Sequence, residues 1–150
     1  MNIFTIRMAA VSEQKALEAL QWRASLKHPE YREALLANPD AIELPVAQIE
    51  AGGVFVCEQG GVIVGFAAVL PRDDGGTELD GLFVEPEFWR LGVGRAMVEH
   101  CAGVFRAGGS AALHVVGNPL AEQFYLACGF EVTGSTQTRF GPAPLMRRTL

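Results

Sequence analysis

The residues with the clearest chemical potential lie in a short segment between an apolar run and an amphipathic pattern. The run ends at Val84, and the chain then reads Glu85-Pro86-Glu87-Phe88-Trp89-Arg90-Leu91-Gly92-Val93-Gly94-Arg95-Ala96-Met97. A strand, a glycine turn and a helix N-terminus form a pyrophosphate site, because glycine permits close backbone approach and the first helical N–H groups lack partners. We therefore expect the main-chain N–H groups from Leu91 to Ala96, with Arg90 and Arg95 beside them, to hold a phosphorylated ligand.

The spacing of the glycines leaves other interpretations open. A dinucleotide-binding turn has the form G-x-G-x-x-G, whereas the third position here is Met97. That fold also expects an acidic residue about twenty residues further on, where this chain reads Ser110-Ala111-Ala112-Leu113-His114. The remaining alternative is a turn whose glycines serve backbone geometry alone.

A second informative segment follows, and it has the marks of a short helix with a defined start and end. It reads Asn118-Pro119-Leu120-Ala121-Glu122-Gln123-Phe124-Tyr125-Leu126-Ala127-Cys128-Gly129-Phe130. Asn118 is suited to the N-cap and Pro119 to the first helical position. Gly129 is suited to the left-handed residue that ends a helix.

Together the two segments resemble the GCN5-related N-acetyltransferase (GNAT) family over roughly residues 77–131. The phosphate-binding turn of that family has the form [Q/R]-x-x-G-x-[G/A], which Gly92 and Gly94 match and Trp89 does not. Its later helix often reads N-x-x-A-x-x-F-Y-x-x-x-G-F, which is matched at Asn118, Ala121, Phe124, Tyr125, Gly129 and Phe130. We expect Trp89 to pack beside the turn rather than stack on an adenine ring, and Arg90 or Arg95 to supply the missing charge.

The resemblance implies an α/β fold of the α+β mixed-sheet kind in a single GNAT-like domain over residues 1–150. Such a sheet has a central antiparallel meander and splayed parallel strands four and five, and helices flank it. The gap between those two strands, here residues 77–84 and 111–116, holds the pantetheine arm of acetyl-coenzyme A (acetyl-CoA) in the family. Phe83 and Val84 are then the expected main-chain contacts, and Asn118 lies near the cofactor arm. The implied cosubstrate is acetyl-CoA, and no metal is implied.

The implied reaction is transfer of an acetyl group to a primary amine by direct attack in a ternary complex. The thiol of coenzyme A leaves as an anion, so a tyrosine hydroxyl can assist as general acid, and Tyr125 matches the family's tyrosine in that role. Glu78, through a water molecule, and Asp80 are the candidate bases. By strict alternation both share a strand face with Leu82 and Val84, unless Gly81 marks a bulge. For His114 we favour a structural role over one in the acceptor cleft.

The identity of the acceptor stays open, as a small-molecule or peptide amine. In the family, the first helices and the closing hairpin shape the acceptor pocket, which here means Trp22, Tyr31 and the segment Phe140-Gly141-Pro142. Two alternatives remain: a non-catalytic acyl-CoA-binding regulatory module of the same fold, and an acyltransferase for a longer acyl group.

Composition agrees with one compact domain. The chain has 150 residues, of which 49% are hydrophobic, and a formal net charge of −5. That charge argues against a general nucleic-acid surface, and the absence of an eighteen-residue apolar run argues against a membrane span. The N-terminal residues lack the shape of a signal peptide, so we expect a cytoplasmic protein. We expect it to be a monomer or a homodimer. The three cysteines lack metal-ligand spacing and are expected to be buried and reduced.

Periodicity predicts the elements that position these residues. Strands are expected over residues 3–7, 54–58, 62–70, 77–84, 111–116, 130–140 and 145–149. Helices are expected over residues 13–26, 30–37, 46–51 and 93–107 and after Asn118. The first helix is expected to bury Ala16, Leu17, Leu20 and Ala24, and the fourth to bury Met97, Cys101, Val104 and Phe105.

Overall fold

The computed structural model describes residues 3–150, which form a mixed sheet flanked by helices. The strands are β1 (Thr5–Met8), β2 (Val54–Gln59), β3 (Val62–Pro71), β4 (Thr77–Val84), β5 (Ala112–Val116), β6 (Glu131–Thr138) and β7 (Gly141–Thr149). The helices are α1 (Gln14–Leu26), α2 (Pro29–Ala37), α3 (Val46–Glu50), α4 (Val93–Ala107) and α5 (Glu122–Ala127). Short 3₁₀ turns lie at Val11–Glu13, Pro39–Ala41 and Pro86–Phe88.

The seven strands form one sheet in the order β1-β2-β3-β4-β5-β7-β6. β4 and β5 run parallel, and their pairing comprises Thr77 with Leu113 and Glu78 with His114. β4 continues to Val84 beyond that pairing. These pairs lie where β4 begins, and the structure confirms the predicted mixed sheet with a parallel β4–β5 pair.

The chain divides into two compact units. One contains the residues up to Ala68 together with Gly81–Met97, and the other contains Val69–Asp80 together with Val98–Leu150. Strands β3 and β4 contribute residues to both units.

The first unit is built around strands β2 and β3, whose apolar runs are typical of strands covered on both faces. Its core consists of Leu17, Leu20, Leu44, Ile49, Val54, Val56, Phe66 and Ala68. Helix α1 buries Leu17, Leu20 and Ala24, as predicted, but Ala16 is exposed. Since each residue advances about 100° around a helix, Ala16 lies just outside the stripe that those three residues form.

The approach of β3 to the start of α4 depends on Gly65. A Cβ atom at this position would lie 3.0 Å from the Phe83 carbonyl oxygen and 3.1 Å from Val93 Cγ1. Strand β3 therefore packs closely against both β4 and the first turn of α4, and this contact sets where the connection between them runs. Along α4, Met97 and Cys101 are buried as expected, whereas Val104 is 40% exposed. Val104 lies about 100° around the helix from the half-buried Phe105, outside the buried stripe.

The second unit has its buried strand residues on β5 and β7, whereas β6 is largely exposed. Leu113, Val115, Phe130 and Met146 are among its large buried side chains. All three cysteines, Cys57, Cys101 and Cys128, are buried and reduced, as predicted. Burial raises the pKa of the Cys101 thiol to about 12, so this thiol stays protonated and unreactive.

An ion-pair cluster on β1 predicts acid sensitivity. Arg7 bonds Glu13 at 2.7 Å and Glu58 at 2.7 Å, and the bond from Arg7 lowers the pKa of Glu13 from 4.5 to about 2. A depressed carboxyl pKa stabilises the fold above the unfolded pKa, and this stability is lost as pH falls toward the folded pKa. We expect Glu13→Gln to lower the free energy of unfolding at pH 7 by about 1 kcal/mol, after allowance for solvent around Arg7.

The same substitution should reduce the loss of stability between about pH 5 and pH 2, because the titrating group is gone. Urea unfolding of both proteins at pH 7 and pH 3 measures this difference. Equal losses in the two proteins would mean that Glu13 does not contribute to acid sensitivity.

Candidate functional site

The connection between β4 and α4 has the backbone of an anion-binding turn. Two of its residues are left-handed, Arg90 with φ of 65° and Gly92 with φ of 88°. Ala96 donates its N–H to the Gly92 carbonyl at 3.0 Å, and this bond closes the first turn of α4. The amides of Val93, Gly94 and Arg95 lie before Ala96 in the first turn. A helix provides no carbonyl group of its own to accept hydrogen bonds from these first amides. The Ala96 amide, expected among the binding groups, is thus already bonded; of the other expected amides, from Leu91 to Arg95, those of Val93 to Arg95 belong to the first turn of the helix.

The charge around this turn is positive. Arg90 and Arg95 are exposed, and neither forms an ion pair with another residue of the range 3–150. Glu85, which precedes the turn, accepts two bonds from Arg23, at 2.9 Å and 2.6 Å. The hydrogen bond to Glu85 raises the pKa of Arg23. The carboxylate nearest the end of β4 is therefore paired, while two guanidinium groups face solvent.

The Trp89 side chain forms a hydrogen bond and a ring stack with other residues of the protein. Its indole N–H donates to the Val84 carbonyl at 2.7 Å. Its ring stacks on His28, with the ring centroids 5.3 Å apart and the planes at 19°. The side chain packs beside the turn, as we expected, and the Val84 carbonyl already accepts one hydrogen bond.

The left-handed conformation of Arg90 gives a test of the turn's geometry. A residue with a Cβ atom is disfavoured there by about 1 kcal/mol, whereas glycine is not. We expect Arg90→Gly to be more stable than Arg90→Ala by about 1 kcal/mol in urea unfolding. Both variants lose the same charge, so both should bind a polyanion equally weakly. Equal stabilities would contradict the left-handed assignment.

The side chains of β4 alternate regularly between two faces. Leu79 is buried, Glu78 is half-buried and Asp80 is exposed. A Cβ atom on Gly81 would lie 2.9 Å from the Phe83 ring, so these two residues share the face of Leu79. Gly81 therefore makes room for an aromatic ring and does not switch the alternation. Glu78 and Asp80 stay together on the opposite face.

Glu78 belongs to a polar cluster that the sequence reasoning missed. Arg72 Nη1 donates to Glu78 Oε1 at 3.2 Å, and Arg72 also bonds Asp74 at 3.0 Å. The second carboxylate oxygen, Oε2, is buried with no hydrogen-bond partner among residues 3–150. His114, the neighbour of Glu78 in the β4–β5 register, has its Nε2 4.0 Å from Asp74 Oδ2.

The position of His114 explains its electrostatics. A Cβ atom on Gly76 would lie 3.0 Å from the imidazole, so the β3–β4 turn covers the ring closely. This burial, with the charge of Arg72, lowers the pKa of His114, and the ring is neutral at pH 7. The acidic turn Asp73-Asp74 was the available signal in the sequence, but its approach to His114 depends on the pairing of β4 with β5, which joins residues far apart in the chain.

Tyr125 is fixed by its neighbours in the second unit. Its ring packs edge-on against Phe124 and Phe130, with centroid distances of 5.1 Å and 5.4 Å. Only 7% of the residue is exposed. Burial raises the pKa of this phenol well above its usual range, so the hydroxyl keeps its proton at neutral and moderately alkaline pH.

Asn118 has a local role that differs slightly from the one predicted. Its Oδ1 accepts the Ala121 N–H at 3.0 Å, whereas α5 begins only at Glu122. The Asn118 carbonyl accepts the same N–H at 3.0 Å, so a turn forms first and the helix follows it. Asn118 therefore caps the turn that leads into α5. Gly129, with φ of 89°, ends the helix as predicted.

Residues 3–150 lack two structural features. Within this range, no three His, Cys, Asp or Glu side chains lie close enough together to hold a metal ion. No helix in the same range has the length and apolar character needed to cross a membrane.

Comparison with known proteins bears on the fold. The PaiA N-acetyltransferase from Thermoplasma acidophilum, crystallised with coenzyme A, superposes with a TM-score of 0.78 over 99% of each chain at 15% identity. The ribosomal-protein-alanine N-acetyltransferase from Brucella melitensis superposes with a TM-score of 0.70 over 97% of this chain and 99% of that one, at 22% identity. At these identities the likeness shows a shared fold.

The family of this chain is identified from its amino-acid sequence. A search of curated proteins found no significant match. The sequence model of the Acetyltransferase (GNAT) family, however, matches residues 15–130, which include both the turn before α4 and helix α5. This chain therefore belongs to the GNAT acetyltransferase family.

Proposed function

We propose that the protein transfers an acetyl group from acetyl-CoA to a primary amine, by direct attack of the amine on the thioester in a ternary complex. One observation carries the proposal: the turn before α4 presents three helical amides without acceptors beside two exposed arginines. This arrangement fits the pyrophosphate of coenzyme A, because it combines N–H donors, a helix dipole and positive charge. Membership of the GNAT family supports the same reaction.

The phosphates of the cosubstrate are proposed to bind to the main-chain amides from Leu91 to Arg95, chiefly those of the first turn of α4, with the side chains of Arg90 and Arg95 adding charge. A Cβ atom placed on Gly92 would have no neighbouring atom within 4 Å, so there is open space at this residue, beside the amides of the turn. Main-chain groups of Phe83 and Val84 on β4 are proposed to bind the pantetheine arm, since the β4–β5 register within residues 3–150 comprises Thr77 and Glu78 and both residues lie beyond it. Asn118 is proposed to lie near the same arm.

Tyr125 is proposed to assist departure of the coenzyme A thiolate. An ordinary thiol has a pKa of about 8.5, and burial raises the pKa of Tyr125 above that of a free tyrosine. Full proton transfer from this phenol to a thiolate is therefore uphill. The phenol acts best as a fixed hydrogen-bond donor to the sulfur while negative charge develops there.

Glu78 is the proposed base, acting through a water molecule, and Asp80 is the second candidate. Arg72 bonds one oxygen of the Glu78 carboxylate, and the buried Oε2 has no protein donor within residues 3–150. That second oxygen keeps the capacity for one further hydrogen bond, which the proposed water molecule would donate. Negative charge at Glu78 and Asp80 favours a cationic amine.

The proposal is tested by calorimetric titration with acetyl-CoA, dephospho-CoA, desulfo-CoA and S-acetylpantetheine. Acetyl-CoA should bind, and S-acetylpantetheine, which lacks the pyrophosphate and the nucleotide, should bind far more weakly. An acetylation screen over small amines and peptides then identifies the acceptor. Failure to bind acetyl-CoA would contradict the proposal, and tight binding without turnover of any amine would favour a non-catalytic acyl-CoA-binding module. Preference for a longer acyl-CoA in the same titration would identify a different acyl donor.

A further inference from the structure

Trp89 bonds the end of β4 through its side chain, and the family pattern has a polar residue at this position. The indole N–H bonds the Val84 carbonyl at 2.7 Å, which closes a loop over residues 84–89, from the end of β4 to the turn. Within that loop, Phe88 donates its N–H to the Glu85 carbonyl at 2.8 Å, and Trp89 donates its own to Pro86 at 3.2 Å. Trp89 is thus held by both its main chain and its side chain.

The residue that follows needs such support. Arg90 is the one non-glycine residue among residues 3–150 with a positive φ, at 65°. This conformation is unfavourable for a residue with a Cβ atom, so neighbouring contacts must keep the chain there. The turn must hold this conformation for the amides of Val93 to Arg95 to point outward from the helix end.

The same region contacts residues 23–28, from the last turn of α1 to the residue before α2, which we call the α1–α2 segment. His28, which directly precedes α2, covers one face of the indole at a centroid distance of 5.3 Å. Arg23, near the end of α1, bonds both carboxylate oxygens of Glu85. Two independent contacts therefore join the α1–α2 segment to the residues on either side of the Pro86–Phe88 turn.

We propose that Trp89 is a positioning residue that holds the anion-binding turn in its binding shape, and that His28 links this turn to the α1–α2 segment. The inference rests on the proposed function, because the turn's ligand is the pyrophosphate of coenzyme A. Trp89 replaces a side chain that would touch the ligand with one that shapes the backbone. Phosphate binding is then carried by main-chain amides and by Arg90 and Arg95.

The test uses Trp89→Phe, which keeps an aromatic ring for His28 but removes the indole donor. Calorimetry with coenzyme A should show binding about fivefold weaker, the effect of one lost hydrogen bond. In the protein without ligand, the Ala96 amide, which closes the first turn of α4, should exchange its proton about fivefold faster by NMR. Unchanged exchange in the variant would overturn the inference. Weaker coenzyme A binding with unchanged exchange would instead identify Trp89 as a direct ligand contact.

The His28 contact is tested with a matched pair of variants. His28→Ala removes the stacked ring and leaves the indole bond, so coenzyme A should bind about threefold more weakly. His28→Phe keeps a stacking face and should restore the wild-type affinity. Equal affinities of the two variants would remove His28 from the inference.

Failure of the inference and failure of the proposed function give different results. Amide exchange needs no ligand, so it reports on the turn even if the wild-type protein does not bind coenzyme A. Absence of wild-type binding would contradict the proposed function. Wild-type binding with unaltered Trp89→Phe affinity and exchange would contradict only the role of Trp89.

Discussion

Replacing Tyr125 with phenylalanine is expected to lower kcat about 10²-fold while the KM for acetyl-CoA changes less than about twofold. The hydroxyl is proposed to donate to the sulfur only as negative charge develops there, so its loss affects the transition state more than the bound ground state. The ring packs edge-on against Phe124 and Phe130, and phenylalanine preserves both contacts. Steady-state kinetics with the acceptor found by screening measure both parameters.

A second variant at this position separates chemistry from packing. Tyr125→Leu also removes the ring, so it should lower the free energy of unfolding by about 2–4 kcal/mol, whereas Tyr125→Phe should change it little. An unchanged kcat in the phenylalanine variant would remove Tyr125 from the mechanism. A loss of kcat that appears only with the loss of stability would assign it a packing role.

The pH dependence follows from the direction of the Tyr125 shift. Burial raises the pKa of the phenol, so the protonated form persists above the pH at which an ordinary tyrosine ionises, about 10. The kcat profile of the wild-type enzyme should therefore show no decline from tyrosine ionisation below about pH 10. A decline in that range that disappears in Tyr125→Phe would contradict the raised pKa.

Local signals predicted the main elements well because each was strong by itself. The glycine turn followed by an apolar stripe predicted α4, which indeed begins at Val93. The apolar runs of β2 and β3, separated by Gly60 and Gly61, predicted a hairpin that the structure confirms. Gly129 predicted the end of α5, since a left-handed residue there suits glycine.

Contacts between distant residues could not be predicted in the same way. The bond from Arg72 to Glu78 depends on how the β3–β4 turn folds back, and the approach of His114 depends on the β4–β5 register. The stack of Trp89 on His28 joins residues sixty-one positions apart in the sequence. The start of α5 was misplaced for a local reason, because a turn capped by Asn118 and a helix capped by it have the same sequence marks.

Substitution of Gly94 by leucine is expected to weaken coenzyme A binding at least about 100-fold, or about 2.7 kcal/mol. Gly94 is the second residue of α4, and its own amide lies between two others that have no helical acceptor. A leucine side chain there occupies the space that a pyrophosphate needs to reach these amides. Main-chain donors cannot be removed by substitution, so steric blocking is the direct test of their role. Calorimetric titration with coenzyme A measures the effect.

The same helix provides a matched control in Gly103, which is exposed and whose built Cβ atom meets no other atom within 4 Å. Gly103→Leu should bind coenzyme A as the wild-type protein does, and it should gain up to about 1 kcal/mol of stability from helix propensity. The Gly94 variant gains the same propensity, so its loss of affinity cannot be ascribed to a weaker helix. S-acetylpantetheine, which lacks the pyrophosphate, should bind the wild-type and Gly94→Leu proteins alike. If instead Gly94→Leu bound coenzyme A with wild-type affinity, the phosphates would lie elsewhere, and the turn before α4 would have only a structural role.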